Sequence, residues 1–188
     1  MKRYIIIICA VWCIVVQDSL AQRYLPGQRG LQFTAGAVNG LGPKEGFHAG
    51  MAFSVYTKNA DRWVFGAEYL EKRHAYKALH IPQSQFTVDM GYYLKFLSDV
   101  RKTFFASAGA SAMAGYEAVN WNERLLPDGA TVNHSDAFLY GGALTLEMEV
   151  YLTDRIVLLA NIRERLLAGS SVGKLNTLFG VGIKYIIH

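Results

Sequence analysis

Hydrophobic and polar residues alternate along most of the chain, and the alternation is clearest between Phe138 and Leu152. In that stretch, one set of alternate positions carries large apolar side chains, whereas the other carries glycine, threonine, glutamate and tyrosine. Because successive side chains of a β-strand point to opposite faces, this pattern predicts a strand with one apolar and one charged face. The short polar turn at 153–155 and the apolar run behind it predict a hairpin.

The same alternation recurs and predicts about eight strands, at 31–38, 47–56, 63–72, 86–96, 104–116, 138–152, 156–167 and 175–187. Two segments leave alternatives open. The charged segment 71–83 fits a strand extension or an external loop, and 156–167 also fits a helix with Asp154 as its N-cap and Gly169 beyond its end. The predicted connections are short after strands two, four and six, among them a tight turn at 57–62, and longer after the odd-numbered strands.

The overall composition decides what the apolar face touches. Hydrophobic residues make up 52% of the chain and charged residues 18%, below the usual quarter, and the mean hydropathy is +0.14. Beyond the N-terminus, no apolar run approaches the roughly 20 residues of a membrane helix. Hydrophobicity spread over every second residue is typical of an outer-membrane barrel, as are alternating short and long connections. We therefore predict an all-β fold, a closed antiparallel outer-membrane β-barrel of about eight strands.

Aromatic residues on the apolar parity support the membrane interpretation, because such barrels carry an aromatic girdle at each interface. One predicted girdle lies at the periplasmic ends of the strands and the other at the outer ends: Trp63, Phe96, Phe104 and Tyr185 form the first, and Phe47, Phe86, Tyr116 and Phe138 the second.

The N-terminus has the organisation of a secretory signal. Lys2 and Arg3 precede an apolar run, and Ser19-Leu20-Ala21 matches the small-x-small pattern before a cleavage site. We predict a signal peptide at 1–21, a periplasmic lead-in at 22–29 and a barrel domain at 30–188. The expected location after cleavage near Ala21 is the outer membrane of a Gram-negative bacterium. Both cysteines lie inside the predicted signal, so the mature chain would have no thiol chemistry.

Charged residues on the inward parity form the candidate site. Eight strands leave a lumen filled by side chains, where opposite charges must pair because an unpaired buried charge is costly. An ion pathway or a binding cavity is one interpretation, and a structural plug of salt bridges is the one that we favour. The predicted structural lumen charges are Glu68, Asp89, Lys95, Glu147, Glu149, Arg163, Arg165 and Lys184. A three-residue turn at 153–155 would set Glu147 opposite Asn161 and diagonal to Arg163.

Signals for other chemistry are weak. The chain carries no HExxH, P-loop or GxSxG motif. The group His134-Ser135-Asp136 has residue types suited to acyl transfer, but it is also ordinary loop chemistry before a strand. His74 and His80 flank a charged segment and do not establish a metal site. The remaining charges form no basic run. We therefore expect no enzyme activity, no catalytic or metal-ligating residues, no cofactor and no direct nucleic-acid binding.

Several blocks of sequence, taken in order, resemble a known family. They are RYLPGQRGLQFTAG, DRWVFGAEYLEKR, IPQSQFTVDMGYYLKFLSD, FFASAGASAMAGYE and GVGIKYI, and together they are similar to the TraO family of conjugal transfer proteins from Bacteroides-type conjugative transposons. The resemblance implies a role in conjugative DNA transfer within an envelope-spanning mating apparatus. It leads us to expect other conjugal transfer proteins as partners, whereas the predicted membrane barrel leads us to expect contact with outer-membrane lipid. It supplies no catalytic residues.

Three hypotheses of function remain at this stage. The chain could be a structural component of the transfer apparatus, serving as an anchor or in assembly. It could instead be a small general outer-membrane barrel with adhesive or protective loops. The third hypothesis is a soluble lipocalin-like barrel for an apolar ligand, which would turn its apolar parity inward and its charges outward. Neither the oligomeric state nor the loop that docks a partner follows from the sequence.

Overall fold

The computed structural model describes residues 24–40, 46–76, 79–119, 137–170 and 175–187, and for residues 73–76, 79–82 and 119 it describes the backbone alone. The predicted signal peptide therefore lies outside the described residues. The strands β1 to β8 are, in order, Arg29–Val38, Gly46–Tyr56, Arg62–Tyr76, Leu79–Ser98, Phe104–Val119, Ala137–Tyr151, Ile156–Ala168 and Leu175–Ile187. The described residues contain no helix long and apolar enough to cross a membrane.

The eight strands form one closed barrel in which each strand pairs antiparallel with its neighbour in sequence and β1 pairs with β8. Following directly paired residues once round the barrel, from Phe138 on β6 through β5, leads back to Met148, ten residues further along β6. A stagger of this size tilts the strands by roughly 40° to the barrel axis. The closed antiparallel barrel predicted from the alternation is confirmed.

The two ends of the barrel differ. At the turn end lie the first residue of β1, the last residue of β8 and the short connections 57–61, 99–103 and 152–155. At the loop end lie the strand termini between which the chain continues through residues 39–45, 77–78, 120–136 and 169–174. The connection after β3 is two residues, shorter than the long connection expected after each odd-numbered strand. Of the two alternatives for 71–83, the strand extension is the one observed, because β3 ends at Tyr76 and β4 begins at Leu79.

The outer face of the barrel is apolar and the lumen is polar. All eight residues of the predicted girdles lie on the outer face, seven of them exposed and Phe104 half-buried. The buried polar residues include four arginines and lysines, Arg62, Lys72, Arg165 and Lys184, with four glutamates and an aspartate. A lipocalin-like barrel would have the opposite arrangement, so the structure contradicts the soluble alternative.

Residues 156–168 form a strand, which excludes the helix alternative. Val157 and Leu159 are buried in the lumen, whereas Ile156 and Leu158 are exposed on the outer face. A helix here would leave the facing edges of β6 and β8 without hydrogen-bond partners, and a membrane-spanning sheet cannot tolerate open edges. The pairing of Glu147 with Asn161, expected from the short turn, is confirmed.

Candidate functional site

The first charged cluster lies in the half of the lumen nearer the turn end and joins β3, β6 and β8. The Arg62 Nη2 atom lies 2.6 Å from Glu147 Oε1 and 3.3 Å from Glu149 Oε1. Lys184 Nζ lies 3.3 Å from Glu147 Oε1 and also contacts Glu149. All four side chains are buried. Two cations face two carboxylates, so this turn-side cluster is formally neutral, as a buried ionic group must be to avoid a large desolvation cost.

The second charged cluster lies nearer the loop end and joins β3, β4 and β7. Arg163 Nη2 lies 2.8 Å from Asp89 Oδ2, and Arg163 Nη1 lies 3.4 Å from Glu68 Oε2. Arg165 Nη1 lies 2.9 Å from Glu68 Oε1. His48 approaches Glu68 at 3.7 Å. This loop-side cluster also balances two cations against two carboxylates, counting His48 as neutral.

Little space separates the two clusters. The cavity between them has a volume of about 30 Å³ and is lined by Glu68, Asp89 and Arg163 from one cluster and Glu147 from the other. That volume holds about one water molecule. The described side chains therefore fill the middle of the lumen instead of lining a pore.

Tyr24 closes the lumen at the turn end. Its ring stacks on Tyr56 with centroids 4.0 Å apart and makes edge contacts with Phe105 and Tyr151. Its hydroxyl donates a 2.6 Å hydrogen bond to Glu149. Backbone hydrogen bonds between Tyr56 and residues 27 and 28 hold this segment across the barrel mouth. Burial, reinforced by the Glu149 carboxylate, raises the pKa of the Tyr24 phenol well above its ordinary value, so the phenol stays a proton donor.

Seven of the eight predicted lumen charges belong to the two clusters, and Lys95 does not. Lys95 points inward from β4 but lies half-buried at the turn end, beyond the turn-side cluster. The second cation of the turn-side cluster, beside Lys184, is instead Arg62, which lies in the turn predicted at 57–62. That boundary is wrong: Arg62 is the first residue of β3 and is fully buried. Arg62 shares its parity with Glu68, and extending the alternation one step would have found it.

A further polar group near the loop end was missed. The Glu117 carboxylate accepts hydrogen bonds of 2.8 Å from Gln83 and from Gln85, and one of 2.7 Å from Ser170. The predicted strand ended at Tyr116, one residue too early to place Glu117 on the inward face. The other missed residue, Tyr24, fell in the predicted lead-in, where no periodicity marks it.

The structure does not describe the side chains of the weak catalytic and metal-binding candidates. His134, Ser135 and Asp136 lie outside the described residues, and His74 and His80 have no described side chains. Among the side chains that are described, no three histidine, cysteine or acidic residues are grouped to hold a metal ion. The described side chains hold the barrel closed, and the turn end and the loop end expose different residues.

Solved structures of other proteins resemble the fold of this barrel. The crystal structure of Neisserial surface protein A matches with a TM-score of 0.54 and 16% identity, over 85% of this chain and 96% of that one. The N-terminal β-barrel domain of Pseudomonas aeruginosa OprF matches with a TM-score of 0.52 and 10% identity, over 86% and 98%. At these identities the likeness shows the fold alone, that of an outer-membrane β-barrel. No curated protein sequence matches significantly.

The family assignment comes from the sequence itself. The family model described as conjugative transposon protein TraO matches residues 25–187, which span the described barrel from the closing segment to the end of β8. This match confirms the resemblance that the ordered blocks of sequence carry. The chain belongs to the TraO family of conjugative transposon proteins.

Proposed function

We propose that the protein is a structural component of a conjugative DNA-transfer apparatus and that it anchors or helps to assemble this apparatus at the outer membrane. The TraO family supports the link to conjugation. The apolar outer face, with aromatic residues near both ends, supports the membrane location. The role is structural and not enzymatic.

The observation that carries this proposal is the filled lumen. Two neutral charge clusters occupy its middle, about 30 Å³ of space remains between them, and Tyr24 covers the turn end. An eight-stranded barrel is too narrow for DNA even when it is empty. The protein therefore contributes to transfer through its surfaces and not as the conduit.

The charge clusters, in this proposal, serve the stability of the barrel. Each contains equal numbers of cations and carboxylates, and each joins strands that are far apart in sequence, such as β3 and β6. A pathway for ions would need exchangeable water and changing partners, whereas these pairs are buried. The seven clustered residues act as internal cross-links.

We assign the orientation from the lengths of the connections between strands. Outer-membrane barrels carry short turns on the periplasmic side and longer loops on the outer side, and the connections 57–61, 99–103 and 152–155 are the short ones at the turn end. The turn end thus faces the periplasm, and the loop end faces outward. The longest interval between consecutive strands, from the end of β5 at Val119 to the start of β6 at Ala137, then lies on the outer side of the barrel.

Deletion of the gene from a donor strain tests the proposal most directly. Mating frequency should fall strongly and should return when the wild-type gene is supplied in trans. An unchanged frequency would refute the role in transfer and favour a general outer-membrane barrel.

A conductance measurement tests the mechanism separately. The purified barrel, inserted into planar bilayers, should show no large conductance steps, and a 16-stranded porin with an aqueous channel should show them in the same bilayers. Large, long-lived channels formed by the isolated protein would contradict the filled lumen and with it the role as anchor.

A further inference from the structure

A second cavity opens at the turn end, beside the closing segment. Its volume is about 330 Å³, and it lies between Tyr24, the connection 57–61 and the connection 99–103. Its charged lining consists of three lysines, Lys58, Lys95 and Lys102. We call this cavity the basic mouth. It is roughly ten times larger than the gap between the two charge clusters and is open to solvent at one end of the barrel.

The three ammonium groups have no acidic partner within the part of the chain that the structure describes. Asp61 and Asp99 are close in sequence, but neither lines the cavity, and one oxygen of each carboxylate is bonded to backbone amides. Asp61 accepts a 2.8 Å hydrogen bond from the Lys95 backbone amide, and Asp99 accepts bonds of 2.7 and 2.9 Å from the amides of Thr103 and Phe104. Among the described residues, the lining of the basic mouth therefore contains three cations and no carboxylate, in contrast to the balanced clusters deeper in the lumen.

The basic mouth opens along the barrel axis and not toward the lipid. Lys95 lies on the inward parity of β4, between Leu94 and Phe96, which are both exposed on the outer face. Tyr24 and Phe105, which form the floor, are buried inside the barrel. A lipid headgroup approaches from the outer face, whereas a protein in the aqueous phase approaches along the axis. The geometry favours the protein.

The rim of the cavity also carries an apolar contact point. Val100, at the tip of the connection between β4 and β5, is 99% exposed. It lies between Asp99 and the basic pair Arg101 and Lys102. An apolar side chain beside several cations suits a peptide that combines acidic and apolar residues.

We propose that the basic mouth docks an acidic peptide segment of a periplasmic protein of the conjugative apparatus. Carboxylates of the segment accept hydrogen bonds from Lys58, Lys95 and Lys102, each of which offers three donors. The proposal rests on the proposed function, in which the turn end faces the periplasm. The cavity is already present in the structure without a bound peptide.

Peptide binding to the full mature barrel in detergent micelles tests the chemistry. A fluorescein-labelled hexaglutamate peptide should bind with an anisotropy signal that weakens as salt is raised, whereas hexaglutamine should not bind. The variant Lys58→Gln/Lys95→Gln/Lys102→Gln should bind about tenfold or more weakly, from three exposed ion pairs of modest strength. Arg155→Gln removes a cation at the same end but outside the cavity and should stay within about twofold.

Other outcomes overturn the proposal in distinct ways. Equal binding by the triple variant, or no hexaglutamate binding at low salt, means that the cavity does not recognise acidic peptides. If inorganic phosphate displaces the labelled peptide at a lower concentration than unlabelled hexaglutamate does, the site recognises phosphate groups instead. Lysine-dependent binding to phosphatidylglycerol vesicles without peptide binding assigns it to lipid. If the triple variant fails to fold, Lys58→Gln/Lys102→Gln replaces it, because both of these side chains are exposed.

Mating assays separate this inference from the proposed function. Donors that carry the triple variant, with normal barrel levels in the outer membrane, should mate about as poorly as donors that lack the gene. Wild-type mating by the triple variant, together with failed mating by the deletion, refutes the docking site and leaves the function intact. Normal mating by the deletion refutes the function itself.

Discussion

Replacement of Arg62 by methionine should be among the most destabilising single changes in the barrel. Arg62 is fully buried, and its guanidinium lies 2.6 Å from Glu147 and 3.3 Å from Glu149. It also donates a 3.2 Å hydrogen bond to Ser107 and lies 5.1 Å from the centroid of the Tyr93 ring. Methionine keeps much of the volume but leaves two buried carboxylates with Lys184 alone. Removing one partner from a buried ion pair costs about 3–5 kcal/mol, and we expect a loss in that range.

A second substitution distinguishes charge balance from packing. Glu147→Gln in the wild-type chain leaves Arg62 and Lys184 with one carboxylate, so it should lower the free energy of unfolding. The same substitution in the Arg62→Met background leaves Lys184 with Glu149, a neutral pair, and should raise the free energy of unfolding by about 1–2 kcal/mol. The effect of Glu147→Gln therefore changes sign between the two backgrounds.

The assay is urea unfolding of the refolded barrel in lipid vesicles, followed by tryptophan fluorescence under conditions where unfolding and refolding curves coincide. Arg155→Met is the matched control, because Arg155 is exposed at the turn end and its loss should stay within about 0.5 kcal/mol. The reasoning fails if Arg62→Met costs less than about 1 kcal/mol. It also fails if Glu147→Gln destabilises both backgrounds equally.

Two further changes probe the closing segment and the outer face. Tyr24→Phe removes the hydrogen bond to Glu149 and should cost about 1.5–3 kcal/mol, whereas Tyr24→Ala also removes the stacked ring and should cost more. Because burial raises the pKa of the Tyr24 phenol, its contribution is fully present below the unfolded value near 10 and is lost as pH rises through the folded value. The stability difference between wild type and Tyr24→Phe in urea titrations should thus stay constant from pH 7 to about 9, and a decline within that range would contradict the burial. Glu164 lies on the outer-face parity opposite Leu144 and bonds to Thr177, so Glu164→Leu should stabilise the barrel in vesicles by about 1 kcal/mol, and a loss of stability there would show that the carboxylate is needed.

The fold follows from the sequence to a large extent because one physical rule dominates it. A strand in a closed membrane barrel must turn apolar side chains outward at every second position, so the sequence of each strand shows the alternation. The last strand was predicted at 175–187 and has those limits. Where alternation weakens, the boundaries shift. The segment 71–83 carries charges and a proline, so its pattern left a strand extension and an external loop equally open, and β3 and β4 take the extension.

The site was less predictable because alternation fixes the face of a side chain but not its height in the barrel. Glu147 lies opposite Asn161 on the neighbouring strand, as expected, yet its closest ion partner is Arg62 on β3. The stagger of ten residues around the barrel determines which charges lie at the same height along its axis. No pattern within a single strand gives the size of this stagger. Lys95 has the parity of the lumen charges but lies beyond the turn-side cluster. Tyr24 belongs to no strand, and its burial depends on the closure of all eight.

The separation between the clusters and the basic mouth has a consequence for how substitutions act. Arg62, Lys184 and their carboxylates are buried and balanced in charge. Removal of one charge therefore lowers the free energy of unfolding, and only removal of a second charge of the opposite sign restores part of it. Lys58 and Lys102 are exposed and Lys95 is half-buried beside an open cavity, so loss of a cation at the mouth should cost the barrel little. Substitutions in the clusters should therefore lower stability and transfer together, whereas substitutions in the mouth should lower transfer while the barrel unfolds at the wild-type urea concentration.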